Sequence, residues 1–167
     1  MTHRARIFLA AALALVLLAG YAAYWFYVAA QLEKGIDDWV TLQRRRGLTV
    51  EFEHRPIGGF PLAFRITFRR PHIAGAFAGQ GFDWHGPDVE GSVSPIDLHG
   101  MTFSAPGHHA IDLGAGPAAL DAKDLKMRFG LDDFGQLSSL AATFADLKVA
   151  LPDGRTVAAA AGDASLA

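Results

Sequence analysis

No charged side chain stands between Arg6 and Glu33, and residues 7–28, IFLAAALALVLLAGYAAYWFYV, form an almost unbroken apolar run of 22 residues. As a helix such a run spans about 33 Å, against a bilayer hydrocarbon core of about 30 Å. In water it would have to be buried on every side, and a chain of 167 residues has room for only one domain in which to do that. The flanks point to a membrane instead. His3, Arg4 and Arg6 precede the run, and Glu33, Asp37 and Asp38 follow it. Positive charge ahead of a span holds that end in the cytoplasm and sends the rest across. Tyr21, Tyr24, Trp25 and Tyr27 gather at the outer end, where amphipathic rings favour the headgroup zone. A cleaved signal peptide is the alternative, since Gly20 and Ala22 supply small residues at the two positions a signal peptidase reads. Both readings put the body on the same, non-cytoplasmic side.

Charge excludes one class of partner. Residues 29–75 carry eight Lys/Arg against five Asp/Glu, whereas residues 76–167 carry five against twelve. An acidic body of this kind is a poor match for nucleic acid. The absence of cysteine excludes disulfides, thiolate metal sites and a cysteine nucleophile.

After the anchor, residues 29–47 read as an amphipathic helix. Leu32, Ile36, Trp39, Val40 and Leu42 fall within one arc, with Glu33, Lys34, Asp37, Asp38, Arg44 and Arg45 on the other side. Gly47 is placed to end it in a left-handed conformation, and Arg44, Arg45 and Arg46 read as a solvated C-terminus set against the helix dipole. The period then falls to two. Leu48, Val50 and Phe52 alternate with polar residues, as do Leu62, Phe64, Ile66 and Phe68. The glycines at 58 and 59 supply a tight reversal between these runs, with Glu51 or Glu53 set to pair across with Arg65 or Arg69. Further on, Val89 and Val93, Ile96 and Leu98, and Met101 and Phe103 read as inward pairs. Pro87, Pro95 and Pro106 mark edges, bulges or corners. Leu125, Met127, Phe129 and Leu131 form another strand, and the phase change from Leu140, Ala142 and Phe144 to Leu147, Val149 and Leu151 suggests a bulge near Asp146. The fold class expected is mainly β: a transmembrane helix running into an amphipathic helix, packed on a curved antiparallel sheet of about seven short strands over residues 48–167.

The segment GGFPLAFRITFRRPHI at residues 58–73, FDW at 82–84 and GSVSPIDLHG at 91–100 resemble domain of unknown function 2125, found in Gram-negative envelope proteins. The resemblance covers about residues 20–115 and weakens afterwards; Ser94 stands before Pro95 where the family pattern carries tryptophan. It implies an inner-membrane anchor, a periplasmic body and a helix followed by a Gly-Phe-Pro hairpin and apolar strands. It implies no activity. Members usually run well past 167 residues, which leaves open a short form and a chain incomplete at its C-terminus.

Residues able to do chemistry are sparse. Asp97 and His99 share a strand face, with His85, His108 and His109 in nearby segments, but nothing in the spacing converges three ligands as a zinc site requires. These are read as solvated loop histidines. Ser92, Ser94 and Ser104 lack a nucleophile-elbow context, and no glycine loop opens a helix to cradle phosphate. We therefore expect no enzyme, catalytic residue, metal or cofactor. The distributed feature is an apolar sheet face too wide for one helix to cover. Phe64, Phe68, Met127, Phe129 and Phe144 are the residues expected to line a concavity for lipid or another apolar ligand. The alternative is a structural or scaffolding module that uses the same face for a protein partner; oligomeric state stays open. The topology is testable directly: alkaline phosphatase fused after Gly47 should be active, and an inactive fusion beside an active cytoplasmic reporter would invert the placement.

Overall fold

The computed structural model describes residues 3–77, 79–114, 116–132 and 136–166. The apolar run and the amphipathic segment form one uninterrupted helix, α1 (His3–Arg45). Residues 4–20 are exposed throughout, and the helix is long and apolar enough to cross a membrane. From Tyr21 onward one stripe is covered by the rest of the chain: Trp25, Ala29 and Val40 are buried, with Leu32 and Ile36 half-buried between them. Trp39 and Leu42 stay exposed, so the buried stripe is narrower than the arc read from the sequence and is carried by Val40 at that level. Gly47 ends the helix at φ +87°, with the Gly47 amide bonded to the Arg44 carbonyl and the Leu48 amide to that of Gln43. That pair of bonds is a Schellman cap. Arg44 is not simply solvated: its guanidinium donates twice to the Val50 carbonyl, at 3.1 and 2.6 Å, tying the helix end to the first strand.

Ten strands follow, all paired antiparallel: β1 (Thr49–His54), β2 (Phe64–Phe77), β3 (Gln80–His85), β4 (Val89–Ser94), β5 (Asp97–Ser104), β6 (Gly107–Asp112), β7 (Pro117–Ala122), β8 (Asp124–Leu131), β9 (Leu137–Ala150) and β10 (Thr156–Leu166). The count exceeds the expected seven because three long strands are interrupted. The first half of β2 pairs with β4 and its second half with β3, so β3 and β4 lie end to end along one neighbour. In the same way β7 and β8 lie end to end along β9, with β5 and β6 between. The sheet is thus a meander of seven long rows.

The interruptions line up across the sheet. Among the described residues, Arg70 in β2 (φ +46°) and Asp146 in β9 (φ +50°) are the two non-glycine residues with left-handed backbone, and Asp146 is where the phase change in the sequence falls. Between them lie the breaks at 86–88, 105–106 and 123. Register moves there as well: Asp83 opposite Asp112 would set Glu90 against Ala105, yet Glu90 faces Ser104. Pro71, Pro87 and Pro106, which have no ladder donor to give, sit on this line. Local bonds close it: Gly86 N–H to the Pro71 carbonyl, the Arg70 amide to Asp88, Ala105 N–H to the Leu125 carbonyl. An extra residue in a strand normally throws all later side chains to the other face. Across this line Trp84 and Val89, an odd number apart, still line one cavity, as do Leu120 and Leu125, whereas Phe103 and Ile111 of the row between keep an even spacing.

Several local expectations need correction. The connection between β1 and β2 is a loop over 55–63 rather than a tight reversal, and Leu62, 84% exposed, belongs to that loop and not to the strand. Ile96 and Leu98 point outward, because Pro95 and Ile96 form a corner between β4 and β5. Arg65 pairs with Glu90 of β4 and Arg69 with Asp88 just before it, while Glu53 pairs with Arg70, which the left-handed kink brings beside it. These pairs are exposed and set position more than stability.

Glycine gives the closest fit at one point of the inner face. A Cβ on Gly91 would lie 3.0 Å from Phe103 and 3.3 Å from Ile66. Gly91→Val should therefore lower stability by about 1–3 kcal/mol through overpacking, seen as a lower midpoint in thermal unfolding of the detergent-solubilised chain; an unchanged melt would contradict this packing.

Candidate functional site

Pairing carries the apolar alternation of each strand into transverse rows. Phe64, Val93, Met101, Phe129 and Leu140 form one row, and Ile66, Gly91, Phe103, Met127 and Ala142 the next. α1 lies over part of this face. Trp25 stacks on Phe64 with centroids 5.1 Å apart, and Phe64 is 2% exposed. The Trp25 indole N–H has no acceptor among the described residues, and the ring is held by packing with Ala29, Phe64 and their neighbours. Beneath the helix a cavity of about 140 Å³ is left between Leu32, Ile36, Phe64, Ile66, Phe68 and Met101. Beyond the helix the same face opens into a larger hollow of about 430 Å³, lined by Val89, Phe103, Leu125, Met127, Phe129 and Ile111. Phe103 borders both and meets Phe129 edge-on at 5.6 Å.

The five expected lining residues all lie on this face but not in one space. Met127 and Phe129 line the open hollow, and Phe64 and Phe68 the closed one, where Phe64 is a core residue. Phe144, paired opposite Leu125, lies over Gly162 of β10 and lines neither. Phe103, Leu125, Val89 and Ile111 line the hollow without having been among the residues expected there. Phe103 and Val89 were legible as inward-facing, but only register sets them beside Met127 and Phe129.

At its far end the hollow carries polar groups. His109 is 4% exposed, in contrast to the loop histidine expected. Its Nδ1 accepts from the Trp84 indole N–H at 3.3 Å, which leaves Nε2 to donate to the Ala105 carbonyl at 2.9 Å. Both ring nitrogens are satisfied by a neutral imidazole. The other histidine group is on the opposite face. His72 and His85 are a cross-strand pair with rings stacked at 4.0 Å, and the Asp83 carboxylate lies 3.1 and 3.2 Å from their Nε2 atoms. Two imidazoles and a carboxylate are a donor set that suits a divalent cation. Asp83 and His85 stand two residues apart on β3, and their meeting with His72 depends on the β2–β3 pairing.

The family model described as an uncharacterized protein conserved in bacteria, DUF2125, matches residues 25–167. The chain belongs to this family. The DUF2125 match begins at Trp25, where α1 first becomes buried against the sheet, and runs through all ten strands, well past residue 115. No curated protein and no solved structure matches the chain.

His109→Leu keeps the volume but leaves the Trp84 N–H and the Ala105 carbonyl without partners. Each such loss costs about 1–3 kcal/mol, so the variant should melt several degrees below the parent; equal melting would show that the bonds contribute nothing.

Proposed function

We propose that this DUF2125 chain is a membrane-anchored, non-enzymatic protein of the bacterial envelope, its body on the periplasmic side, that shelters a lipid acyl chain or similar apolar ligand against the sheet. The observation that carries the reading is the hollow of about 430 Å³ bounded by Val89, Phe103, Leu125, Met127 and Phe129, which α1 leaves uncovered. Its volume falls in the range of about 300–1,000 Å³ usual for small-molecule sites. Its walls are almost wholly apolar, so the ligand they suit is held by exclusion of water and not by hydrogen bonds.

A structural module that gives this face to a protein partner is the second reading. It is favoured by β10, which pairs with β9 on one side and has no strand on its other side among the described residues. Such an edge is a template for strand addition.

The two readings separate on Phe129. Truncating a packed core phenylalanine costs about 3–5 kcal/mol, and that is the outcome expected for Phe64→Ser. Phe129→Ser should cost much less and should reduce the lipid that co-purifies with the protein, measured by extraction and mass spectrometry. A wild-type protein free of lipid, with a large fall in melting temperature for Phe129→Ser, would overturn the ligand reading.

A further inference from the structure

Seven rows joined as a meander place their connections alternately at two ends of the sheet. One end holds the 55–63 loop, the β4–β5 corner, the start of β9 and the end of β10. The other holds the start of β1 and the β2–β3, β6–β7 and β9–β10 turns. The two ends differ in character. Phe60, Leu62, Ile96, Leu98, Leu137 and Leu166 are exposed at the first, and Ile96 is 92% exposed. At the second the sheet's exposed large apolar side chains among the described residues are Leu113 and Val157, with Arg46, Asp153 and Arg155 nearby and Trp39 and Leu42 exposed on the last turns of α1.

The helix fixes the depth of the first end. The Tyr21 hydroxyl donates to the Pro61 carbonyl, and that of Tyr24 to the Pro95 carbonyl at 3.0 Å. Phe60 stacks on Phe26 with centroids 5.8 Å apart. Two separate connections are therefore pinned to residues 21–26 of α1, which belong to the last third of the apolar run. Tyr21 lies about 10 Å short of Val28 along the helix axis. If residues 7–28 cross the bilayer, Pro61 and Pro95 cannot stand clear of it, and the side chains that surround them are those that partition into the interface.

We infer that this end of the sheet is seated in the outer boundary of the same bilayer that α1 crosses, with Phe60, Leu62, Ile96 and Leu98 buried among headgroups and upper acyl chains. The partner of the surface is lipid. The inference rests on the membrane reading of α1 and not on the ligand reading of the hollow. It has a consequence for the latter: Met101 and Phe129 lie a few residues along their strands from the seated connections, so the apolar face starts at the membrane boundary and needs no aqueous gap to be reached from it.

The chain has no cysteine, so single cysteines can be placed at will. Full-length protein carrying Ala12→Cys, Leu62→Cys, Ile96→Cys or Leu113→Cys is labelled with an environment-sensitive fluorophore and reconstituted in vesicles of phosphatidylethanolamine and phosphatidylglycerol. The four sites are exposed, and circular dichroism of each variant checks the fold. The expected result is a blue-shifted label at 12, 62 and 96, with several-fold lower iodide quenching than at 113 and strong quenching by nitroxide-bearing lipid. Protection at 12 with iodide access at 62 and 96 equal to that at 113 would overturn the seating and spare the anchor. Iodide access at 12 as well would overturn both. Labels at 62 and 96 shielded from iodide yet untouched by lipid nitroxide would mean that protein covers this end, and would overturn the assignment to lipid.

Discussion

Width is the constraint on which the rest of this structure depends. A helix with its side chains is about 10 Å across, while seven rows spaced about 4.8 Å apart span about 30 Å. α1 therefore covers only the part of the inner face that begins at β1 and β2. Trp25, Ala29 and Phe64 form a small closed core there, with Leu32, Ile57 and Val93 packed around it. Farther along the face the apolar rows continue without a second layer. What would be the interior of a two-layer domain becomes a hollow bordered by Phe103, Met127 and Phe129.

Long strands make that hollow continuous. A strand of 14 residues such as β2 or β9 runs about 46 Å, and a sheet of such strands accumulates twist. A transverse line of kinks crosses these strands. Arg70 and Asp146 adopt left-handed backbone, the prolines occupy places where no ladder bond is owed, and Lys123 lies 3.7 Å from Asp146 across the line. Rows β3/β4 and β7/β8 change phase at the break while the β5/β6 row between them does not, and the register shift between rows keeps apolar side chains on one face on both sides of it. The Trp84–His109–Ala105 chain of bonds supplies partners to the buried polar groups close to it, where an unsatisfied donor would be costly.

The junction of helix and sheet joins architecture to location. Tyrosine hydroxyls at two successive helical turns accept no freedom of depth for the 55–63 loop and the β4–β5 corner, since each bonds a main-chain carbonyl there. Arg44 performs the equivalent task at the opposite end by holding Val50. With both ends fixed, the body cannot slide along α1, and wherever the apolar run resides, the hollow stands at a set distance from it.

The sequence by itself determined what depends on near neighbours. The apolar run needs only its own length and flanks to read as a membrane-crossing helix, and Gly47 needs only a helix before it to read as a cap. Alternation in residues 64–68 and 125–131 marks strands, and the change of phase at Asp146 marks the place where β9 passes through a left-handed residue without losing its register, because side-chain direction within one strand follows from chirality and pleat alone. Tertiary structure decided whatever depends on which strand lies beside which. It sent Ile96 and Leu98 outward at a corner, buried His109 under Trp84, set His72 against His85, and placed Phe103 rather than Phe144 beside Phe129. Each of those outcomes turns on a register between segments far apart in sequence, and a shift of one residue in any pairing would reverse the faces. No local pattern carries that information; it comes from burying the apolar rows jointly.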